Sequence, residues 1–174
     1  WNYFDFNANG FTDYSVVEVD SLKKEEIYKL VVEWVKVTYN TPDKVIKSQI
    51  ENKSIRIEGY SDVLASHNAL FPTYYGTKYS ILISIRDGKY KFNPKWAQYT
   101  IPAGTYNKEL TFNAFNDNDE SIVKSKFNKK EEVKTLYKKM PSDFETFYND
   151  LNMSLYEYIK KETTKPKEGS DDDW

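Results

Sequence analysis

A chain of 174 residues suits a single domain, and roughly 70% of its unfolded surface can be buried at that size without covalent staples. It contains no cysteine, which excludes disulfides, thiolate metal sites and cysteine nucleophiles together. Lys and Arg number 25 against 27 Asp and Glu, so the net charge of -2 gives no global field favouring nucleic acid or a membrane surface.

Residues 1–13, WNYFDFNANGFTD, are aromatic and asparagine-rich and read as an irregular arm or a short edge strand. The chain opens on Trp1 rather than Met, as after trimming or processing, which is compatible with an export signal removed upstream. YSVVEVD (14–20) predicts a first strand, because Val16, Val17 and Val19 are strong strand formers. Residues 21–40 predict a helix: Ile27, Leu30, Val31, Trp34 and Val35 fall on one stripe at helical spacing. Asp20 or Ser21 is placed to cap it, Glu25 and Glu26 complement its dipole, and Asn40 with Pro42 end it.

Residues 43–63 predict a hairpin about Asn52-Lys53, with Ile46, Ile50, Ile55 and Ile57 on one face. A two-residue loop there sets Ile50 against Ile55 and Lys47 against Glu58. Residues 61–72 then read as a connection. YSILISIRDGKYKF (79–92) predicts a second hairpin, with Asp87-Gly88 as a type I′ turn, Ile85 opposite Tyr90 and Ile83 opposite Phe92. Its second strand runs on irregularly past Pro94 to Ile101. Residues 102–128 read mostly as loop, with a short strand around KELTF.

A modest helix is expected over 129–140 and a stronger one over 141–162, where Ser142 and Glu145 have the spacing of a capping box. Phe144, Phe147, Tyr148, Leu151, Leu155, Tyr158 and Ile159 form its apolar face. Residues 163–174 are polar and contain Pro and Gly, and they read as a disordered tail on a single domain spanning 1–162. The order strand, helix, four strands, helix defines an α+β domain with helices packed on one face of a curved antiparallel sheet.

Two segments carry a resemblance to a known family: EEIYKLVVEWVKVTYNTPDKVIKSQIENKSIRIEGY and KYSILISIRDGKYKF. The shared pattern is a helix bearing Tyr and Trp, a hairpin ending in Ile-x-Gly, then a strand leading into Asp-Gly-x-Tyr. Over about residues 14–101 the chain resembles the domain-of-unknown-function 4468 family, found largely in Bacteroidota. The resemblance implies a TATA-binding-protein-like, β-α-β4-α fold and an exported, periplasmic or cell-envelope location. It brings no catalytic residue.

The fold's namesake bends DNA with its sheet, but fold does not dictate function. With the isoleucines facing the helices, the open face carries Lys47, Gln49, Glu51, Arg56, Glu58, Tyr60, Ser80, Leu82, Ser84, Arg86, Lys89, Lys91 and Asn93. That set lacks the paired apolar wedges of a minor-groove bender, so no nucleic acid is expected. Aromatics make up 17% of the chain, 15 of them tyrosines, and FPTYYGTKY (71–79) offers either an exposed platform or aromatic packing where a strand begins. The candidate ligand-binding residues are Arg56, Tyr60, Tyr74, Tyr75, Ser84, Arg86 and Lys91.

Other chemistry has weak support. His67 is the sole histidine, which excludes imidazole-rich zinc sites and leaves any His-based triad resting on one loop residue. Asp117, Asp119 and Glu120 alternate like calcium ligands, but the Gly and distal Glu of an EF-hand are absent, so a solvated acidic loop is expected. The acidic SDDDW at the end reads as flexible tail, and the scattered glycines build no phosphate loop. No run reaches the roughly 18 apolar residues of a membrane helix. The sequence therefore describes a non-enzymatic binding or scaffolding module without cofactor or metal. Its partner is a protein of unknown identity or a small molecule; a glycan or peptide held by exposed tyrosines is the alternative.

Overall fold

The computed structural model describes residues 1–7, 10–68, 72–101, 110–113 and 139–165. Its elements are β1 (Phe6–Asn7), β2 (Gly10–Phe11), β3 (Ser15–Glu18), α1 (Lys24–Thr38), α2 (Pro42–Val45), β4 (Ile46–Ile50), β5 (Ser54–Asn68), β6 (Pro72–Arg86), β7 (Lys89–Ile101), β8 (Leu110–Asn113) and α3 (Lys139–Thr164). β1 and β2 form a small hairpin. The other strands make one antiparallel sheet in the order β3-β7-β6-β5-β4. β8 shares the outer edge of β7 with β3: β3 lies opposite Lys89–Phe92 and β8 opposite Gln98–Ile101. Four antiparallel steps separate β3 from β4, so the two run in the same direction at opposite ends of the order, and α1 carries the chain back between them.

Strict alternation decides the faces. Val17, Ile55, Ile57, Ile81, Ile83, Ile85, Tyr90 and Phe92 are all buried on the helix side. α1 adds Ile27, Val31, Trp34 and Val35, and α3 adds Phe144, Tyr148, Leu155 and Ile159. The helices are tied where Trp34 Nε1 donates to Ser154 Oγ at 3.1 Å. The second hairpin has the expected register, Ile83 against Phe92 and Ile85 against Tyr90. β7 runs to Ile101 with a register shift that leaves Lys95 unpaired beside Pro94, so proline's missing N–H falls at an irregularity.

Several local expectations are overturned. In the Asp87-Gly88 turn only Gly88 takes a positive φ (72°), so the turn is not type I′. The turn is held from outside: Asp87 Oδ1 accepts the Lys24 N–H at 2.9 Å, and Gly88 N donates to Leu22 O at 2.9 Å. Asp87 therefore supplies the start of α1 with the acceptor expected from Asp20 or Ser21. Ser21 instead takes a φ of 71° within the tight connection, and Glu26 folds back on the Lys23 N–H at 2.9 Å.

The first hairpin turns through three residues, Glu51 to Lys53, with Asn52 at φ 57° and Lys53 N bonded to Ile50 O. Ile50 consequently faces Ser54, not Ile55, and is 60% exposed. That slip would carry all of β4 onto the wrong face. A bulge at Lys47 resets the parity, so Ile46 returns opposite Ile57 and packs on the core. Lys47 thus does not oppose Glu58, which pairs with Arg56 instead.

The segment 61–72 is not a connection. β5 continues to Asn68 and β6 starts at Pro72, with a register shift between Ser61 and Ala65. His67 lies on β5, opposite Thr73. β8 bears out the short strand around KELTF, displaced by one or two residues. α3 already includes Lys139, so Ser142 sits inside the helix rather than capping it, and Glu145 Oε1 accepts Phe6 N–H at 2.8 Å. Most of the expected 129–140 helix, the acidic loop at 116–121 and residues 166–174 of the expected tail lie outside the described residues, while the tail's first two residues, Thr163 and Thr164, belong to α3.

Two cross-strand glycines make room for tyrosines. A Cβ on Gly59 would meet the phenol end of Tyr79, its direct partner on β6. Tyr79 has nowhere to retreat. Its hydroxyl donates to Tyr39 Oη at 3.2 Å, and its ring meets Phe147 edge-on at 4.9 Å. Gly59→Ala should therefore cost about 1–3 kcal/mol, the usual range for overpacking. Urea unfolding checks it, with Gly76→Ala as the control. A Cβ there meets only the exposed Tyr60, and the cost should stay within about 0.5 kcal/mol. Equal losses at the two glycines would refute the assignment of the cost to Tyr79.

Candidate functional site

The face of the sheet opposite the helices gathers most of the expected site. The registers place Ser84 between Ser54 and Lys91, Arg86 opposite Lys89, and Arg56 opposite Leu82. Arg56 is anchored: its Nε donates to Ser80 Oγ at 3.1 Å, and its Nη2 stands 3.1 Å from Glu58 Oε1. Ser80, fully buried although on this face, lies beneath that guanidinium. Lys89 and Glu18 form a looser pair at 3.8 Å. Such half-exposed pairs contribute little to stability, but they hold the side chains in place.

Tyr60 and Tyr74 are 64% and 52% exposed on this face. Tyr75 does not join them. Adjacent strand residues point to opposite sides, and Tyr75 is buried, 6% exposed, with the Tyr99 ring 6.2 Å from its own. Its inclusion as a candidate is corrected: it packs the helix side of the β5–β6 ribbon.

The face also holds residues that the sequence reading missed. Tyr14 is 46% exposed, with the Lys91 ammonium 5.0 Å from its ring centroid. Ile50 arrives through the slipped register. Lys78 and Gln98 are exposed opposite each other, and Lys78 is also the direct partner of Tyr60. Trp96, half-buried, lies opposite Ser80. Extending the alternation of Ser80, Leu82 and Ser84 backwards along β6 gives Lys78, Gly76 and Tyr74, so that signal was present in the chain.

Acidity is most displaced on the other side of the sheet. Burial raises the phenol pKa of Tyr39, Tyr90 and Tyr148 well above the usual value and raises that of Tyr79 as well. Tyr90 Oη donates to Asn152 O at 3.3 Å, which gives this buried hydroxyl a structural partner. Among the described residues no three His, Asp or Glu converge on a common point, and no helix is long and apolar enough to cross a membrane.

The antiparallel sheet, one helical layer and one open face together define a TBP-like α+β protein. The chain belongs to the family described as domain of unknown function (DUF4468) with TBP-like fold, whose model matches residues 14–100, half of its length. In structure it is similar to a DUF4468 family protein from Bacteroides ovatus, with 17% identity, a TM-score of 0.67 and 90% of each chain covered. It is also similar to a TBP-like protein from Parabacteroides distasonis, at 17% identity and a TM-score of 0.59, covering 84% of this chain and 90% of that one. These likenesses show the fold. No curated protein matches the chain.

Proposed function

We propose that this protein is a non-enzymatic binding or scaffolding module of the bacterial envelope, working through the open face of its sheet. One observation carries the reading: Tyr60 and Tyr74 are exposed on the neighbouring strands β5 and β6 of this face, with Tyr14 and Ile50 exposed toward its two edges, while the other side of the same strands packs under the helices. Exposed tyrosines, with an apolar ring and a polar tip, suit a surface that meets a partner. The strongly shifted phenols lie in the core, where their burial serves packing. The exported location rests on the family resemblance. Cell fractionation checks it, and recovery in the cytosol alone would overturn it.

Nucleic acid is assigned no role despite the fold name. Arg56 and Lys89 are engaged by Glu58 and Glu18, and the described residues of the face include no paired apolar wedge. A salt-sensitive shift of duplex DNA at micromolar protein would reverse that assignment.

The decisive measurement is a thermal-shift screen against cell-wall fragments, oligosaccharides, peptides and divalent ions. It is run on the parent chain and on a variant with Tyr14, Tyr60 and Tyr74 all changed to Ser. A stabilising compound that loses its effect in the variant supports the open face. One that stabilises both proteins equally places the site elsewhere. The second reading, a glycan or peptide ligand, is favoured by the tyrosines themselves, since rings with one polar end suit surfaces that are alternately dry and wet.

A further inference from the structure

The two tyrosine-over-glycine pairs differ in one respect. Tyr79 lies over Gly59 on the helix side, and Phe147 covers it edge-on at 4.9 Å. Tyr60 lies over Gly76 on the open face: a Cβ on Gly76 would stand 3.1 Å from its Cζ and collide with its hydroxyl. The Tyr60 ring therefore leans across the sheet from β5 onto β6, held down because residue 76 has no side chain, and it remains 64% exposed. A ring whose hydroxyl end rests over bare strand backbone while most of it stays exposed offers a surface for stacking.

Its rim is polar and cationic. Lys78 is the direct partner of Tyr60, Gln98 lies beyond Lys78, and Tyr74 lies on the far side of Gly76 along β6. Arg86 and Lys91 extend the positive character along the same face; of its carboxylates Glu18 and Glu58 face Lys89 and Arg56, and Asp62 is exposed two residues beyond Tyr60 on β5, which leaves cations in excess. A ligand that fits must present a flat apolar face to the ring, several hydroxyls to an amide and an ammonium, and a negative charge to complement the surplus.

We propose that Tyr60 on Gly76 is the stacking platform of a carbohydrate site, and that its ligand is an oligosaccharide of carboxylate-bearing pyranoses. This rests on the open-face reading and narrows it to one ligand class. The axial C–H face of the pyranose stacks on Tyr60, Gln98 meets hydroxyls, and Lys78 meets the carboxylate. A single-stranded nucleic acid would also stack, but it needs cations spaced along a continuous backbone, and among the described residues Lys78 is the cation paired beside the ring.

The test titrates the full chain with a galacturonic acid tetramer, the matched neutral galactose tetramer, a single-stranded oligonucleotide and an acidic aromatic peptide, followed by calorimetry. The uronic tetramer should bind best. Tyr60→Ser should weaken it about tenfold or more, the scale of a lost stacking contact. Lys78→Gln should erase the preference for the acidic over the neutral tetramer. Gly76→Ala, which lifts the ring without removing it, should weaken binding while thermal stability stays at the parent value. Uronic binding unchanged in Tyr60→Ser overturns the platform. Tighter binding of the oligonucleotide or peptide, lost in the Tyr14, Tyr60 and Tyr74 triple variant, overturns the carbohydrate assignment and leaves the open face standing. Absence of binding by all four probes overturns the assignment as well, and the wider screen then decides separately on the face.

Discussion

Raising the pH above about 10 should unfold this protein cooperatively, with tyrosine ionisation and loss of structure in the same step. Tyr39, Tyr79, Tyr90 and Tyr148 are held neutral in the core, and burial is the first cause of each raised pKa. In the unfolded chain the same phenols ionise near 10. Below that pH neither state is charged, and the contribution to stability is intact. Above it the unfolded chain releases protons that the folded protein retains, so stability falls until the folded pKa is reached. Each such phenol costs about 1.4 kcal/mol per pH unit in that window. Tyr39, Tyr90 and Tyr148, whose folded pKa values are raised furthest, together give a slope of about 4 kcal/mol per unit, and Tyr79 adds to it until its own folded pKa is reached. Stability on the order of 5–15 kcal/mol is then exhausted within a few units of pH 10. Tyrosinate absorbance and far-ultraviolet circular dichroism, recorded together during a base titration, check the prediction. Tyr90→Phe should move the transition to higher pH by removing one titrating group. Smooth ionisation of all 15 tyrosines around pH 10 with the dichroism unchanged would contradict the burial of these phenols.

What the chain discloses by itself follows from the range of the interactions involved. The Asp87-Gly88 hairpin was legible because period-2 alternation and a turn dipeptide are local signals, and they set Ile83 and Ile85 in register with Phe92 and Tyr90. The turn's own dihedrals were not, because Asp87 answers to Lys24 and Gly88 to Leu22, both more than sixty residues away. β5 and β6 ran longer than expected because the alternation breaks at the register shift between Ser61 and Ala65, where two strands cease to match one for one. The slip in β4 was hidden twice, once by a turn of three residues and once by the bulge at Lys47 that cancels it. The site shows the same division. Arg56, Tyr60, Ser84, Arg86 and Lys91 followed from parity alone. Tyr74 and Tyr75 cannot share a face of one strand, so the sequence already required one of them to leave. The approach of Tyr60 diagonally to Gly76 on the next strand is a contact that strand alternation does not predict.

The N-terminal segment was the least legible part, and there a single substitution should have the largest effect on stability. Its aromatics show no period, yet Phe4 is 2% exposed, with Phe11 stacked on it at 5.9 Å, Phe92 at 5.9 Å and Tyr148 at 6.1 Å. The backbone is clasped as firmly as the ring. Asn149 Oδ1 accepts Phe4 N–H at 2.8 Å, Asn149 Nδ2 donates to Phe4 O at 2.9 Å, and Glu145 receives the next-but-one N–H from Phe6. Phe4 thus joins the core of a domain whose family match begins only at residue 14. Phe4→Ala should cost about 3–5 kcal/mol, the range for removing a buried phenylalanine. For a chain of this size that lowers the melting temperature by about 10 °C or more. Phe4→Leu, which keeps most of the volume, should recover the larger part of the loss. Asn149→Ala should cost about 1–3 kcal/mol, since it strips both hydrogen bonds from the Phe4 backbone but leaves the ring its packing. Urea unfolding of the three variants orders the effects. If Phe4→Ala costs no more than Asn149→Ala, the ring is peripheral and the clasp alone holds the segment; the expected excess assigns the stabilisation to burial, with Asn149 aligning the segment so that the ring can enter.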